Sequence, residues 1–128
     1  MNIKKIITGL SLSMLLSSGA ANADWGDVYY CQMTNFNQIT VEGEEKSYKL
    51  EKFQFKLDQT KNAMVFGNTG TFKDEVYKLT KGKDFPGLET WYANDRYSIT
   101  YFLQGKFLYT SNGAGAGIIS ISADCDKF

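Results

Sequence analysis

Two cysteines constrain this chain more than any other feature. Cys31 and Cys125 are the only ones it has, and each sits on the apolar phase of an alternating run. Tyr29 and Met33 flank the first; Ile119, Ile121 and Ala123 lead up to the second. In an exported chain an isolated pair of this kind forms a disulfide. A disulfide requires Cα atoms within about 7 Å, so the first and last strands must be neighbours or face each other across the core. Neighbouring ends of a meander close a barrel and remove both exposed edges. The closure is worth about 4 to 5 kcal/mol in the chain-entropy account. A domain of this size is stable by roughly 5 to 15 kcal/mol in total.

The N-terminus supplies the export context. Lys4 and Lys5 precede an apolar stretch from Ile6 to Leu16, broken by Thr8, Gly9, Ser11 and Ser13. Ser17, Ser18 and Gly19 follow, then Ala21-Asn22-Ala23, with small residues where a signal peptidase reads them. This is the three-part pattern of a secretory signal. The apolar run falls short of the about 20 residues that span a bilayer. The pattern predicts cleavage after Ala23, with Ala21 as the alternative. No cysteine follows the apolar run directly, which speaks against lipid attachment, and no later stretch is long and apolar enough to be transmembrane. The expectation is a periplasmic or secreted protein whose single domain runs from Asp24 to Phe128. Removal of Lys4 and Lys5 leaves 12 of 14 bases against 14 acids, a net charge of −2. Nothing in that balance would neutralise phosphates, so nucleic acid is not an expected partner.

Within the domain the recurring signal is alternation with period two, in short runs separated by turn residues. No helix is predicted. Strands are expected over Asp27–Thr34 and Phe36–Val41, and over a long run from Ser47 to Leu57 with a phase slip at Glu51–Lys52 that suggests a β-bulge. A short strand at Ala63–Phe66 leads into Gly67-Asn68-Thr69-Gly70, read as a tight hairpin turn, after which Thr71–Thr80 continues, interrupted by Lys73-Asp74-Glu75. Lys81–Gly87 is the longest polar loop. Leu88–Ala93, Tyr97–Leu103 and Phe107–Thr110 follow, joined by turns at Asn94-Asp95 and Gln104-Gly105. Asn112–Gly117 is a glycine-rich loop ahead of the last run. The fold class is all-β: an antiparallel meander of about eight or nine strands, closed or nearly closed into a barrel, with a β-sandwich as the alternative.

The chemical inventory excludes more than it offers. There is no histidine, which removes the commonest general base and the commonest metal ligand. With both cysteines paired no thiol nucleophile remains. No catalytic residue, metal site or cofactor is predicted. Glu42, Glu44 and Glu45 read as a solvated acidic turn. Asp124 and Asp126 read as a polar terminus. The Asn112–Gly117 stretch lacks the Lys-Ser/Thr of a phosphate loop and opens a strand, not a helix. The suggestive cluster is aromatic: Trp91, Tyr92, Tyr97, Tyr101, Phe102, Phe107 and Tyr109, with the only arginine, Arg96, at its turn. Rings give contact area at low entropic cost and Arg gives directional contacts. Tyr101 and Phe102 cannot both point inward, so some rings must face outward. Within the cluster, Trp91, Tyr92, Arg96, Tyr97, Tyr101 and Phe102 are the predicted binding site.

Tyr29-Tyr30-Cys31, Phe66-Gly67-Asn68, Trp91 to Arg96 and Cys125-Asp126-Lys127-Phe128 together resemble a group of small exported proteins of marine bacteria that carry no assigned activity. That resemblance implies export and the disulfide. The Tyr-x-Cys start, the late cysteine and Ala93-Asn94-Asp95-Arg96-Tyr97 also resemble the periplasmic inhibitors of c-type lysozyme. Those are small barrels with Ser-Gly-x-Arg-Tyr at this position, and this chain lacks the serine and the glycine.

The expected function is non-catalytic binding of a small apolar ligand inside the barrel or of a protein on its face. The alternatives are a lysozyme-inhibitor-like protein, a hydrolase using paired carboxylates, and a structural or assembly module.

Overall fold

The computed structural model describes residues 23–82, 90–113 and 115–128. The predicted export signal, apart from Ala23, lies outside the described residues, as does most of the predicted Lys81–Gly87 loop. The alternation becomes nine strands: β1 (Val28–Ile39), β2 (Glu45–Ser47), β3 (Lys52–Asp58), β4 (Ala63–Phe66), β5 (Val76–Gly82), β6 (Thr90–Asn94), β7 (Ser98–Leu103), β8 (Lys106–Gly113) and β9 (Gly117–Lys127). All neighbours are antiparallel. From β3 onward each strand pairs with the next, and β1 pairs with both β3 and β9. Eight strands therefore form a closed barrel, and β2 is an extra strand beside the far end of β1.

The disulfide joins the two strands that close the barrel. Cys31 and Cys125 are direct register partners on β1 and β9, with Cα atoms 4.0 Å apart. Closure also needs a bare backbone at Gly117. Its φ is +74°, and a Cβ there would collide with the Ile39 carbonyl oxygen. At the other end of β8, in the turn from β7, Gln104 and Gly105 both have positive φ, at 49° and 78°. Two such residues make the two-residue turn whose twist matches that of the strands it joins.

The predicted phase slip is present, in a different form. The long run does not continue through a bulge; β2 ends at Ser47 and β3 begins at Lys52. The bulge is on the partner strand, where the β1–β9 register shifts between Met33 and Asn35. Tyr29, Cys31 and Met33 are buried before it; Phe36 packs against the core after it. On the return strand Tyr48 packs on Phe36 with ring centroids 5.0 Å apart, whereas Phe53, Phe55 and Leu57 point inward. Both strands change phase at one level, and the pairing Asn37↔Ser47 resumes the register of Gln32↔Lys52.

The tight hairpin expected at Gly67–Gly70 is corrected. β4 and β5 are joined by residues 67–75, and Phe72 within that connection is fully buried. Turns closed by Lys73 N–H to Gly70 O and Asp74 N–H to Gly67 O fold the segment back over the barrel. The Phe72 ring then meets Phe53 at 5.0 Å, Phe66 at 5.1 Å and Tyr109 at 5.1 Å. Burial of a large ring outweighs a short turn here. At the opposite end Trp25 packs edge-on to Trp91 at 4.9 Å, and the Gly26 N–H donates to Leu57 O. Between these two stoppers, side chains of the described residues pack the interior. Phe55, Phe102, Phe107, Met33, Leu57 and Met64 are fully buried in one cluster.

Candidate functional site

The strand register sorts the six predicted site residues into three places. Trp91 and Phe102 are cross-strand partners on β6 and β7, and both point inward. They are 8% and 1% exposed. Phe102 meets Tyr29 at 4.6 Å and Phe55 at 5.1 Å. The Trp91 indole N–H is buried without an acceptor among the described residues. These two rings are core, not binding surface.

Tyr92 and Tyr101 are the next partners along the same strands, and period-two alternation turns them outward. Their ring centroids are 5.0 Å apart. Tyr101 pairs in turn with Leu108 on β8, and Ile99 lies two residues along β7 on the same face. Leu108 and Ile99 are 45% and 37% exposed. The result is an apolar row across three strands. Beyond it β9 and β1 present short polar side chains, Ser120, Ser122, Asn35 and Asn37, and the step in height leaves a groove of about 400 Å³. Part of the polar bank is already engaged. The Asn35 amide donates to Ser122 Oγ at 3.1 Å, and Ser47 Oγ donates to Asn37 Oδ1 at 2.9 Å. An incoming group would find its affinity mainly on the apolar side.

Arg96 and Tyr97 occupy the third place, the turn between β6 and β7. This turn is three residues long, one more than expected, because Asp95 organises it. Its Oδ1 accepts from Tyr97 N–H at 2.9 Å, Ser98 N–H at 2.8 Å and Ser98 Oγ at 3.0 Å. The Tyr97 N–H, together with the Ser98 donors, holds the Asp95 carboxyl below the usual carboxylate range despite the opposing effect of burial. The Arg96 guanidinium stands 5.4 Å from the Tyr97 ring centroid. Ile99 and Thr110 border both the groove beside this turn and the groove beside Tyr101, so turn and face form one continuous surface.

Sequence reasoning missed Ile99 and Leu108 as site residues because it followed the aromatics. The signal was available in phase, since Ile99 alternates with Tyr101.

No arrangement suited to acid–base chemistry emerges from the acids of β9. Asp124 and Asp126 point outward from one strand, on one side of a groove, and Asp124 is bonded to Lys106 Nζ at 2.6 Å. Hydrolysis of a glycosidic bond needs carboxyls flanking the bond from opposite sides. Among the described residues no group of three or more His, Cys, Asp or Glu comes together to hold a metal ion. Against known proteins, no family model, no curated protein and no solved structure matches this chain.

Proposed function

We propose that the protein is an exported, non-catalytic binding protein that takes a protein partner on the outer face of β6, β7 and β8. One observation carries the reading: the interior is filled with side chains, while Tyr92, Tyr101, Leu108 and Ile99 form an apolar row on the outside. A filled barrel supports docking on the surface over uptake of a small apolar ligand. Interface anchors are typically aromatic or aliphatic side chains ringed by polar ones, and this face has that composition. The disulfide fits an oxidising compartment, and the N-terminal signal pattern supports the periplasm or the exterior as the place of action.

Photo-crosslinking in the producing cell tests the reading. A benzoyl-phenylalanine at Leu108 is expected to give a discrete adduct, and one at Lys56, on the outer face of β3, is expected to give none. Equal labelling from both positions, or no adduct from Leu108, would remove the proposed face.

One observation favours a second reading, the lysozyme-inhibitor-like one. The Asp95-organised turn presents Arg96 and Tyr97 to solvent in a fixed conformation. Purified protein would then inhibit a c-type lysozyme, and Arg96→Ala would relieve the inhibition. An unaffected lysozyme ends this reading.

A further inference from the structure

A second groove lies on the opposite side of the β1–β9 seam and uses different residues from the binding face. Its volume is about 470 Å³, within the range of small-ligand sites. The floor is the outer face of β3, β1 and β9. The far wall is the start of the connection after β4, brought close because Gly67 has no side chain: a Cβ there would come 3.1 Å from Gln54 Cγ. Tyr30 lines the groove from β1, 45% exposed, with its ring braced edge-on by Phe128 at 5.3 Å.

The polar groups differ in kind from those beside Tyr101. There Asn35 donates to Ser122 and Asn37 accepts from Ser47. Here the side chains of Gln54, Asn68, Asp126 and Lys52 make no hydrogen bond among the described residues, although all four line one groove. They offer two amides, each both donor and acceptor, one carboxylate and one ammonium. The charges nearly cancel. Asp124 is paired with Lys106, and Lys52 offsets Asp126. A phosphate would need a cationic excess, and a polyamine an anionic one. Neither is present.

The geometry points to a saccharide subsite on the outer face of β3, β1 and β9, formed by Tyr30, Gln54, Asn68 and Asp126. A neutral sugar unit is the ligand class that matches each feature. Its C–H face packs on an aromatic ring, and its neighbouring hydroxyls both donate and accept, as amide and carboxylate groups require. The groove is open, so the subsite holds one unit of a longer chain.

The test is an amide-resolved NMR titration of the disulfide-closed protein. The probes are maltotriose, cellotriose and tri-N-acetylchitotriose, with spermine and inositol hexakisphosphate as charged comparators. At least one trisaccharide is expected to shift the amides of Tyr30, Gln54 and Asn68 to saturation, with an affinity that hardly changes with salt. Tyr30→Ala and Gln54→Ala should each weaken it by about tenfold, roughly the effect of one lost contact. Both residues are exposed, and Gln54→Ala serves if Tyr30→Ala disturbs the fold. Tyr101→Ala should leave the affinity unchanged. Three outcomes would overturn the assignment: no saturable shift by any of the three sugars up to about 10 mM, a weak-binding limit; tighter binding of a charged comparator; or shifts confined to Ile99 and Leu108.

Discussion

Tyr101 and Phe102 are adjacent in the chain and face opposite ways. Phe102 is fully buried against Tyr29 and Phe55, whereas Tyr101 lies outside beside Tyr92. Phe102→Ala should cost about 3 to 5 kcal/mol, as loss of a core ring does. Tyr101→Ala should stay within about 1 kcal/mol, as outward positions do. Urea unfolding of the two variants reads the difference, and similar losses would contradict the inward–outward assignment. Tyr77 makes a separate claim about pH. Burial first, then the neighbouring Tyr109 and Glu75, hold its hydroxyl well above the usual tyrosine value. In the unfolded chain the group ionises near about pH 10; in the native state it stays neutral well beyond that. Its contribution is therefore fully present below about pH 10 and is lost as pH rises further. Tyr77→Phe should flatten the alkaline decline in stability above about pH 10. An unchanged decline would show that other groups cause it.

At the scale of elements, the connections explain what the alternating runs alone do not. The inward phases of β3 and β9 are readable directly from Phe53-x-Phe55-x-Leu57 and from Ile119 to Cys125, because period two admits one reading when one face is apolar. The pairing of Cys31 with Cys125 is readable because the chain has no other cysteine, and the same alternation puts both on inward phases. The role of Phe72 is not. It follows a glycine and a threonine in what looks like the opening of a strand, and only the turns through Lys73 and Asp74 swing it into the barrel. Local pattern cannot report a ring that is buried by a loop. The site residues divide the same way. Tyr92 and Tyr101 fall on the outer phase of their strands, but whether Trp91 or Tyr92 points inward depends on how β5, β6 and β7 register. The Phe72 assignment carries its own prediction. Phe72→Ala should destabilise by about 3 to 5 kcal/mol, as a strand-borne core ring would. A loss below about 1 kcal/mol in thermal or urea unfolding would mean that the connection merely lies on the surface.

For the whole molecule, closure and filling act together. The disulfide ties the two strands that complete the barrel, and the rings of Phe72 and Trp25 stopper its two ends. Cys31→Ala combined with Cys125→Ala should lower stability by up to about 4 to 5 kcal/mol, measured by urea unfolding against the oxidised protein. A change near zero would mean that the β1–β9 ladder closes the barrel unaided. The proposed recognition on the outer surface rests on an interior that, among the described residues, is packed with side chains. The most direct measurement is a methyl NMR titration of the oxidised protein with lauric acid and with 1-naphthol. Met33 and Met64 report from inside the barrel, where both are fully buried. The account predicts that their methyl resonances stay in place at excess ligand. A saturable shift of either one would show a hollow interior and contradict it.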